Sequence, residues 1–407
     1  MTAPPRVLVV TTYYHPVLGG VEIHARQLVA HLHRGGFPVQ VVTKRVSPGA
    51  PILEEIDGVP VHRVGPAGER RGSGKWMALP AIFAETLRRR DEFDVIVCID
   101  YRGIGVGAIA AGWLLHRPVI AQGETAGVLA GADERSTSGL EPEGLLDQWL
   151  KAPVREVYRH ADRIVCIGRE LEREALRAGI RPKRVVYLPH GVDLARFRPP
   201  APGERERIRA GLGWPLDRPV VLFVGRLSIE KGVRELLEAW VGMDRRGALL
   251  ALVGPDMAGH PWDAGAPGRA FVNAHGCADS VRFEGGTDDP APFYRAADVF
   301  VQPSHFEALG NTALEAMASG VAVTASGVGG LADFCIEGEN AVLHQPRSST
   351  SLAEAIGRLL DDDALRARLG RAARLTVEER FEVGTLLDRY ARLITETVDE
   401  RRERGDR

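Results

Sequence analysis

The sequence predicts an α/β protein built of two doubly wound parallel-sheet domains. Short apolar, β-branched runs alternate with longer amphipathic segments along nearly the whole chain, the pattern of strands joined by crossover helices. The alternation breaks off once near the middle and then starts again. Size points the same way, because 407 residues with 44% apolar content exceed one ordinary core.

The first domain opens with Arg-Val-Leu-Val-Val-Thr at residues 6–11, a helical period over 21–34 and Val-Gln-Val-Val-Thr at 39–43, which together read as a βαβ unit. Further strands are expected at 94–99, 118–122, 163–167 and 185–188. The centres of these runs are apolar without alternation, which implies a parallel sheet covered on both faces. Between 197 and 219 the texture turns to prolines, charges and Gly-Trp-Pro-Leu-Asp-Arg-Pro, the composition of a domain boundary. The domains are therefore set at 1–195 and 219–383, with 196–218 as linker. In the second domain, strands are expected at 220–224, 248–253, 281–283, 299–302 and 321–325. Residues 352–404 are almost continuously helical in character, with Gly370 and Gly384 as breaks. Ligands of this architecture bind at the carboxyl ends of the strands, so chemistry is sought there, in a cleft between two sheets.

Composition excludes several classes. The 52 basic and 54 acidic side chains leave a net charge of -2, unlike the strongly basic surface of a dedicated nucleic-acid binder. Residues 1–200 hold 27 basic against 22 acidic groups, and 201–407 hold 25 against 32. That asymmetry is either ordinary variation or the mark of an anionic acceptor or membrane surface at the first domain, through clusters such as Arg70-Arg71 with Lys75 and Arg88-Arg89-Arg90. Cys98, Cys166, Cys277 and Cys335 lie far apart with no metal-ligand spacing, so neither a disulfide framework nor a zinc site is expected. The N-terminus lacks the charged and apolar regions of a signal peptide. The apolar stretch 103–115 is well short of the ~20 residues that span a bilayer. A cytoplasmic protein is expected, with peripheral association at the inner membrane face as its one membrane alternative.

Three loops carry candidate chemistry. Gly19 and Gly20 stand where the first strand hands over to the first helix. There, backbone N–H groups and about half a positive charge from the helix dipole suit an anion. A glycine pair in such a turn also serves plain sterics, and the full Gly-x-Gly-x-x-Gly spacing is missing. In Gly225-Arg226-Leu-Ser-Ile-Glu-Lys231-Gly232, two cations five residues apart leave the first strand of the second domain, placed to match the charge of a pyrophosphate or else simply solvated. The third loop runs Glu307-Ala-Leu-Gly310-Asn311-Thr312-Ala-Leu-Glu315. It puts one carboxylate at the sheet edge and one about a turn inside the next helix. Such carboxylates suit sugar and ribose hydroxyls, with the helix N-terminus facing phosphates; taken singly, they would equally be surface charges.

Gly19-Gly20, Pro189-His-Gly-Val-Asp193, Gly225-Arg226 with Glu230-Lys231-Gly232, and the Glu307-x7-Glu315 element fall in the order seen in family 4 of the retaining glycosyltransferases (glycosyl transferases group 1), which the chain resembles from Val7 to about Phe381. The resemblance implies the GT-B fold, two Rossmann-like domains facing across a cleft. The first would bind the acceptor and the second the nucleotide-sugar donor, and a C-terminal helix, 384–407, would pack back on the first. Arg226 and Lys231 are then implied to hold the donor diphosphate, Glu307 the transferred sugar and Glu315 the ribose. Gly225, Gly310, Asn311 and Thr312 would complete the donor site, and the Gly19-Gly20 loop would close on the phosphates. No cofactor is implied, and donor binding is expected to need no metal. The acceptor is a hydroxyl on a glycan, a lipid-linked sugar or a small molecule.

The chain departs from its relatives at two strand ends where many carry histidine. It reads Val97-Cys98-Ile99-Asp100-Tyr101 after the fourth strand and Gln122-Gly123-Glu124-Thr125 after the fifth, which makes Asp100 and Glu124 candidate substrate contacts. His190 replaces the usual Asn of the linker motif and is expected to make a structural hydrogen bond. In a retaining transfer the acceptor hydroxyl and the leaving phosphate share one face of the sugar, so the phosphate can take the proton itself. A double displacement would need a carboxylate under the anomeric carbon, for which Glu124 is the one nominee. Other readings on the same fold are a nucleotide-sugar epimerase, a phosphorylase and a non-catalytic sugar-nucleotide-binding protein. Donor hydrolysis would separate the enzymes from the binder.

Overall fold

The computed structural model describes residues 3–17, 19–67, 74–99, 104–125, 127, 129, 156–245 and 247–405. The chain divides into two compact units, one formed by Met1–His190 with Thr385–Arg407 and the other by Gly191–Gly384.

The sheet of the first unit has the order β3-β4-β2-β1-β5-β6-β7-β8. Its strands are β1 (Val7–Thr11), β2 (Val39–Lys44), β3 (Leu53–Ile56), β4 (Val59–Val64), β5 (Val95–Ile99), β6 (Val119–Gly123), β7 (Arg163–Cys166) and β8 (Val185–Tyr187). All neighbours pair in parallel except β3 with β4. That hairpin was not expected. Its turn is Asp57-Gly58, both at positive φ (53° and 81°), the conformation that the Asp-Gly pair favours between two strands. Helices α1 (Gly20–Arg34), α2 (Gly74–Arg88), α3 (Gly105–Leu114) and α4 (Arg169–Arg177) connect the strands. The strand order reverses between β1 and β5, so the loop carrying Gly19 leaves one flank of this switch point and Asp100 follows the other in sequence. Asp100 lies outside the described residues, as do Arg70, Arg71 and most of 125–146.

The basic cluster at the end of α2 is largely consumed within the unit. Arg89 is buried, donating to Glu85 (2.7 Å), Glu92 (2.7 Å) and Gln40 (3.0 Å), and Arg88 pairs with Glu85 at 2.6 Å. Arg90 is more loosely held, standing 3.6 Å from the exposed carboxylate of Asp91.

The second unit holds six parallel strands in the order β11-β10-β9-β12-β13-β14. They are β9 (Val220–Val224), β10 (Leu249–Val253), β11 (Val281–Gly285), β12 (Val299–Gln302), β13 (Ala322–Ser326) and β14 (Val342–His344). The last is too short to stand out in the sequence. Helices α5 (Glu204–Leu212), α6 (Val233–Gly242), α7 (Gly265–Ala274), α8 (Ala291–Ala296), α9 (Asn311–Ala318), α10 (Ser349–Asp361) and α11 (Asp363–Arg380) cover both faces. One core cluster runs from Val221, Phe223 and Trp240 to Ile356 and Leu359.

Residues 196–218, expected as a linker, are instead folded into this unit. Buried Arg209 of α5 reaches Asp298 at 2.6 Å, and Asp298 also caps the backbone N–H of Val220 at 2.7 Å. Gly370 does not break a helix. It lies inside α11 because a Cβ there would come within 2.3 Å of the Gly320 carbonyl, so close packing requires the glycine. The break falls instead at Asp362, whose side chain accepts from Leu365 N at 2.8 Å and so caps α11.

The terminal helix α12 (Val383–Gly405) runs into the first unit. There Asp388 meets His31 at 2.9 Å, Glu400 pairs with Arg163, and Tyr390 is buried. No described helix is long and apolar enough to cross a membrane.

Candidate active site

In the second unit the strand order reverses between β9 and β12, the switch point at which open sheets of this kind bind ligands. The two loops leaving those strands contain Arg226 to Gly232 and Pro303 to Gly310. Two glycines allow the loops to meet. Gly232 has φ 70°, and a Cβ there would fall 2.0 Å from the Pro303 carbonyl. Only a residue without a side chain can adopt this backbone and this approach together. The backbone N–H of His305 then donates to the Glu230 carbonyl at 2.9 Å, tying one loop to the other. Gly225 is held by its N–H to Val253 O at 2.9 Å.

The consequence is a polar centre at the start of α9. Lys231 Nζ donates to Glu307 Oε1 at 2.6 Å, and the same oxygen accepts from Gln302 Nε2 at 2.8 Å and Ser304 Oγ at 2.7 Å. The amide oxygen of Gln302 in turn accepts from Thr312 Oγ1 at 2.7 Å. Charge-assisted bonds of this length are the strong ones, and here they fix one carboxylate oxygen three times over. Gly310, with φ 99°, precedes α9 with no capping side chain, and no acid stands in the first turn at Asn311 and Thr312. The positive end of the helix dipole therefore opens directly beside Glu307.

Arg226 stands on the same loop as Lys231 but is turned to Glu230, 2.8 Å away and about as exposed as itself. The structure thus brings Lys231, Glu307 and Thr312 into one network and leaves Arg226 at its rim. Glu315 sits inside α9 and accepts from the Tyr294 hydroxyl at 2.8 Å. Burial pushes its carboxyl up to about 7, against the opposing pull of the Tyr294 hydrogen bond and the Arg196 charge.

Gly19 and Gly20 lie in the first unit, at the entry of α1. Gly19 is extended, with φ 178°, so its backbone suits any residue. A Cβ there would meet Glu22 Oε2 at 2.3 Å, because the Glu22 carboxylate occupies the positive end of α1. Glu124, one residue beyond β6, is buried, and its Oε1 accepts from Gln122 Nε2 at 2.5 Å and lies 3.2 Å from His190 Nε2. Burial opposes the charge of Glu124, but the charge and hydrogen bond of His190, with His24 and Gln122, outweigh it and hold the carboxyl below its ordinary value. His190 also stacks on His24, with ring centroids 3.9 Å apart. Among the described residues no group of three or more His, Cys, Asp or Glu is placed to hold a metal ion.

Sequence reasoning did not find Gln302, Ser304 or Tyr294. For the first two a signal existed: a glutamine closing the apolar run Val-Phe-Val and a serine one Pro later, polar groups that burial obliges to find partners.

Residues 19–191 match the family described as glycosyl transferase 4-like domain, and 204–376 the one described as glycosyl transferases group 1. The chain is 31% identical over 420 residues to a D-inositol 3-phosphate glycosyltransferase of Xylanimonas cellulosilytica, covering 96% of this chain and 97% of that one. It is 34% identical over 390 residues to the protein of the same name in Kineococcus radiotolerans, covering 88% and 86%. Among solved structures, sucrose-phosphate synthase from Thermosynechococcus elongatus matches with a TM-score of 0.77 at 26% identity over 95% of this chain and 98% of that one. HepE of Anabaena with UDP and glucose shares the fold at a TM-score of 0.77 and 21% identity, over 96% and 100%. Two parallel-sheet units, a polar centre at the switch point of the second and relatives above 30% identity over their near-full length make this chain a member of the group 1, family 4 glycosyltransferases, an enzyme of the GT-B fold.

Proposed function

We propose that this glycosyltransferase moves a sugar from a nucleotide-diphosphate donor to a hydroxyl acceptor with retention of anomeric configuration. The observation that carries the reading is the convergence of Lys231, Gln302 and Ser304 on one oxygen of Glu307 beside the uncapped start of α9. In this reading Lys231, Arg226 and the first turn of α9, with Gly225, Gly310, Asn311 and Thr312, meet the diphosphate. The second oxygen of Glu307 accepts from a hydroxyl of the transferred sugar, and Glu315 accepts from the ribose. As the sugar–phosphate bond breaks, negative charge grows on the leaving diphosphate, and fixed positive charge aimed there lowers the barrier. The acceptor hydroxyl gives its proton to that phosphate, so the transfer needs neither an enzymic base nor a metal ion.

Two further supports come from relatives. HepE of Anabaena was solved with UDP and with UDP-glucose, which puts UDP-sugars first among donors to try. The shared name D-inositol 3-phosphate glycosyltransferase makes a phosphorylated polyol the first acceptor to try. The test is a thermal-shift series with UDP-, GDP-, ADP- and TDP-sugars, where a bound ligand at 100 times its dissociation constant stabilises by about 2.7 kcal/mol. Stabilisation by one of them, followed by an axial or equatorial product matching the donor's configuration, supports the reading. No response to any of the four overturns it.

A further inference from the structure

Tyr294 belongs to α8 and is fully buried in the second unit. Its ring is held from two sides, edge-on by Phe197 with centroids 5.8 Å apart and tilted against Phe300 at 5.6 Å. A phenol confined in this way has one direction in which to donate, and the hydroxyl points at Glu315 Oε2, 2.8 Å distant. Phe300 lies on β12 two residues before Gln302, so the strand that anchors the Glu307 network also braces the ring behind Glu315. The carboxyl of Glu315 is only partly buried and takes no other side-chain hydrogen bond among the described residues. One of its oxygens is thus fixed by protein, and the other is left for a ligand.

A glutamate side chain has three rotatable bonds, and a carboxylate at the edge of an apolar core will rotate away or take up a proton unless a donor holds it. Tyr294 supplies that donor without itself reaching the ligand. We propose that Tyr294 is a positioning residue for donor recognition, clamping Glu315 Oε2 so that Oε1 stands ready for the ribose hydroxyls and the enzyme selects ribonucleotides over nucleotides that lack them. This rests on the reading that Glu315 contacts the ribose.

The experiment measures dissociation constants by calorimetry for UDP, GDP and ADP, and carries the tightest binder forward beside its 2′,3′-dideoxy counterpart. Four proteins are compared: the parent, Tyr294→Phe, Glu315→Gln and the double variant, each checked for a cooperative melt. The parent should bind the ribonucleotide about 10-fold or more better than the dideoxy compound, the value of one charge-assisted hydrogen bond. Tyr294→Phe should retain dideoxynucleotide binding and lose most of the ratio, to about 2-fold. Combining the two substitutions should cost no more discrimination than either alone, because they break one unit.

A Tyr294→Phe protein that discriminates as the parent does would overturn the role of Tyr294 and leave the ribose reading intact. A parent that binds both nucleotides equally would overturn the ribose reading and this proposal with it. Absence of binding by all three nucleotides would overturn the donor class itself. Should Tyr294→Phe fail to fold, Glu315→Gln carries the test, and normal discrimination in that variant would refute the clamp.

Discussion

Lys231 and Glu307, 76 positions apart in sequence, form an ion pair of 2.6 Å, and Glu307 is pinned through the same oxygen by Gln302 and Ser304. A lysine held in this way cannot swing to solvent, so its charge is in place before any ligand arrives. Lys231→Ala should lower turnover by about 100-fold or more, the usual consequence of removing one preorganised charge from a transition state. Arg226→Ala should do the same, although its guanidinium must first leave Glu230. Steady-state rates with a working donor decide the matter. Near-normal turnover in both variants would mean that the diphosphate is held elsewhere.

If Glu315 accepts from the ribose, its raised carboxyl should give nucleotide binding a pH dependence of definite sign. Its ordinary value is 4.5 and burial moves it to about 7. Below about 7 the group is mostly protonated and a poor acceptor for ribose hydroxyls, so affinity should fall as pH drops, towards about 10-fold per unit if one proton is released on binding. The ligand-free enzyme should behave oppositely. Between 4.5 and about 7 the folded state binds the extra proton, so this group's contribution to stability declines as pH rises through that window. Calorimetric titration between pH 5.5 and 8.5 tests the first part, and a flat affinity profile, or one unchanged in Glu315→Gln, would refute it.

The strands that could be read in advance are those whose apolar runs are long enough to register, such as Val220–Val224 and Val95–Ile99. The β3–β4 hairpin escaped because Leu53–Ile56 is half exposed and carries two glutamates, although Asp57-Gly58 marked its turn. The segment 196–218 looked like a linker because proline and charge dominate it, while the contact that folds it, Arg209 with Asp298, joins residues 89 apart. The site divides in the same way. Glycines, cations and carboxylates at strand ends announce themselves by spacing. Gln302 and Tyr294 matter only through the carboxylates they touch, and no local pattern states that contact.

His24 should make the first unit sensitive to acid. Burial, reinforced by the nearby His190 charge, lowers its value from 6.5 to about 3, so the folded state keeps the ring neutral where the unfolded chain would protonate it. Between about 6.5 and 3 the unfolded state binds more protons, and stability should fall as pH is lowered through that range, by at most about 1.4 kcal/mol per unit from this group. His24→Phe keeps an aromatic ring against His190 and removes the titration. Urea denaturation at pH 7 and pH 5 should show a smaller loss in the variant than in the parent. Equal losses would assign the acid sensitivity to other groups.

Glu124 is the carboxylate that a double displacement would use as nucleophile if the transfer followed that course, yet its side chain is buried and engaged by Gln122 and His190. A nucleophile must approach the anomeric carbon with a free lone pair, and Oε1 already accepts from an amide and lies against an imidazole, which leaves Oε2 for that role. Replacement by Gln keeps the shape and one carbonyl acceptor but removes the charge. Breaking a buried ion pair with the partner left charged costs about 3–5 kcal/mol. Glu124→Gln should therefore fold with a loss of stability no larger than this. It should also keep measurable transfer, reduced by roughly 10-fold to 100-fold, as for one charge-assisted hydrogen bond, with products of unchanged configuration. Thermal melts of parent and variant test the contact with His190, and product analysis tests the chemistry. If Glu124→Gln is well folded but inactive and the parent yields a trapped glycosyl adduct on Glu124, the transfer proceeds by double displacement and the leaving phosphate does not take the proton.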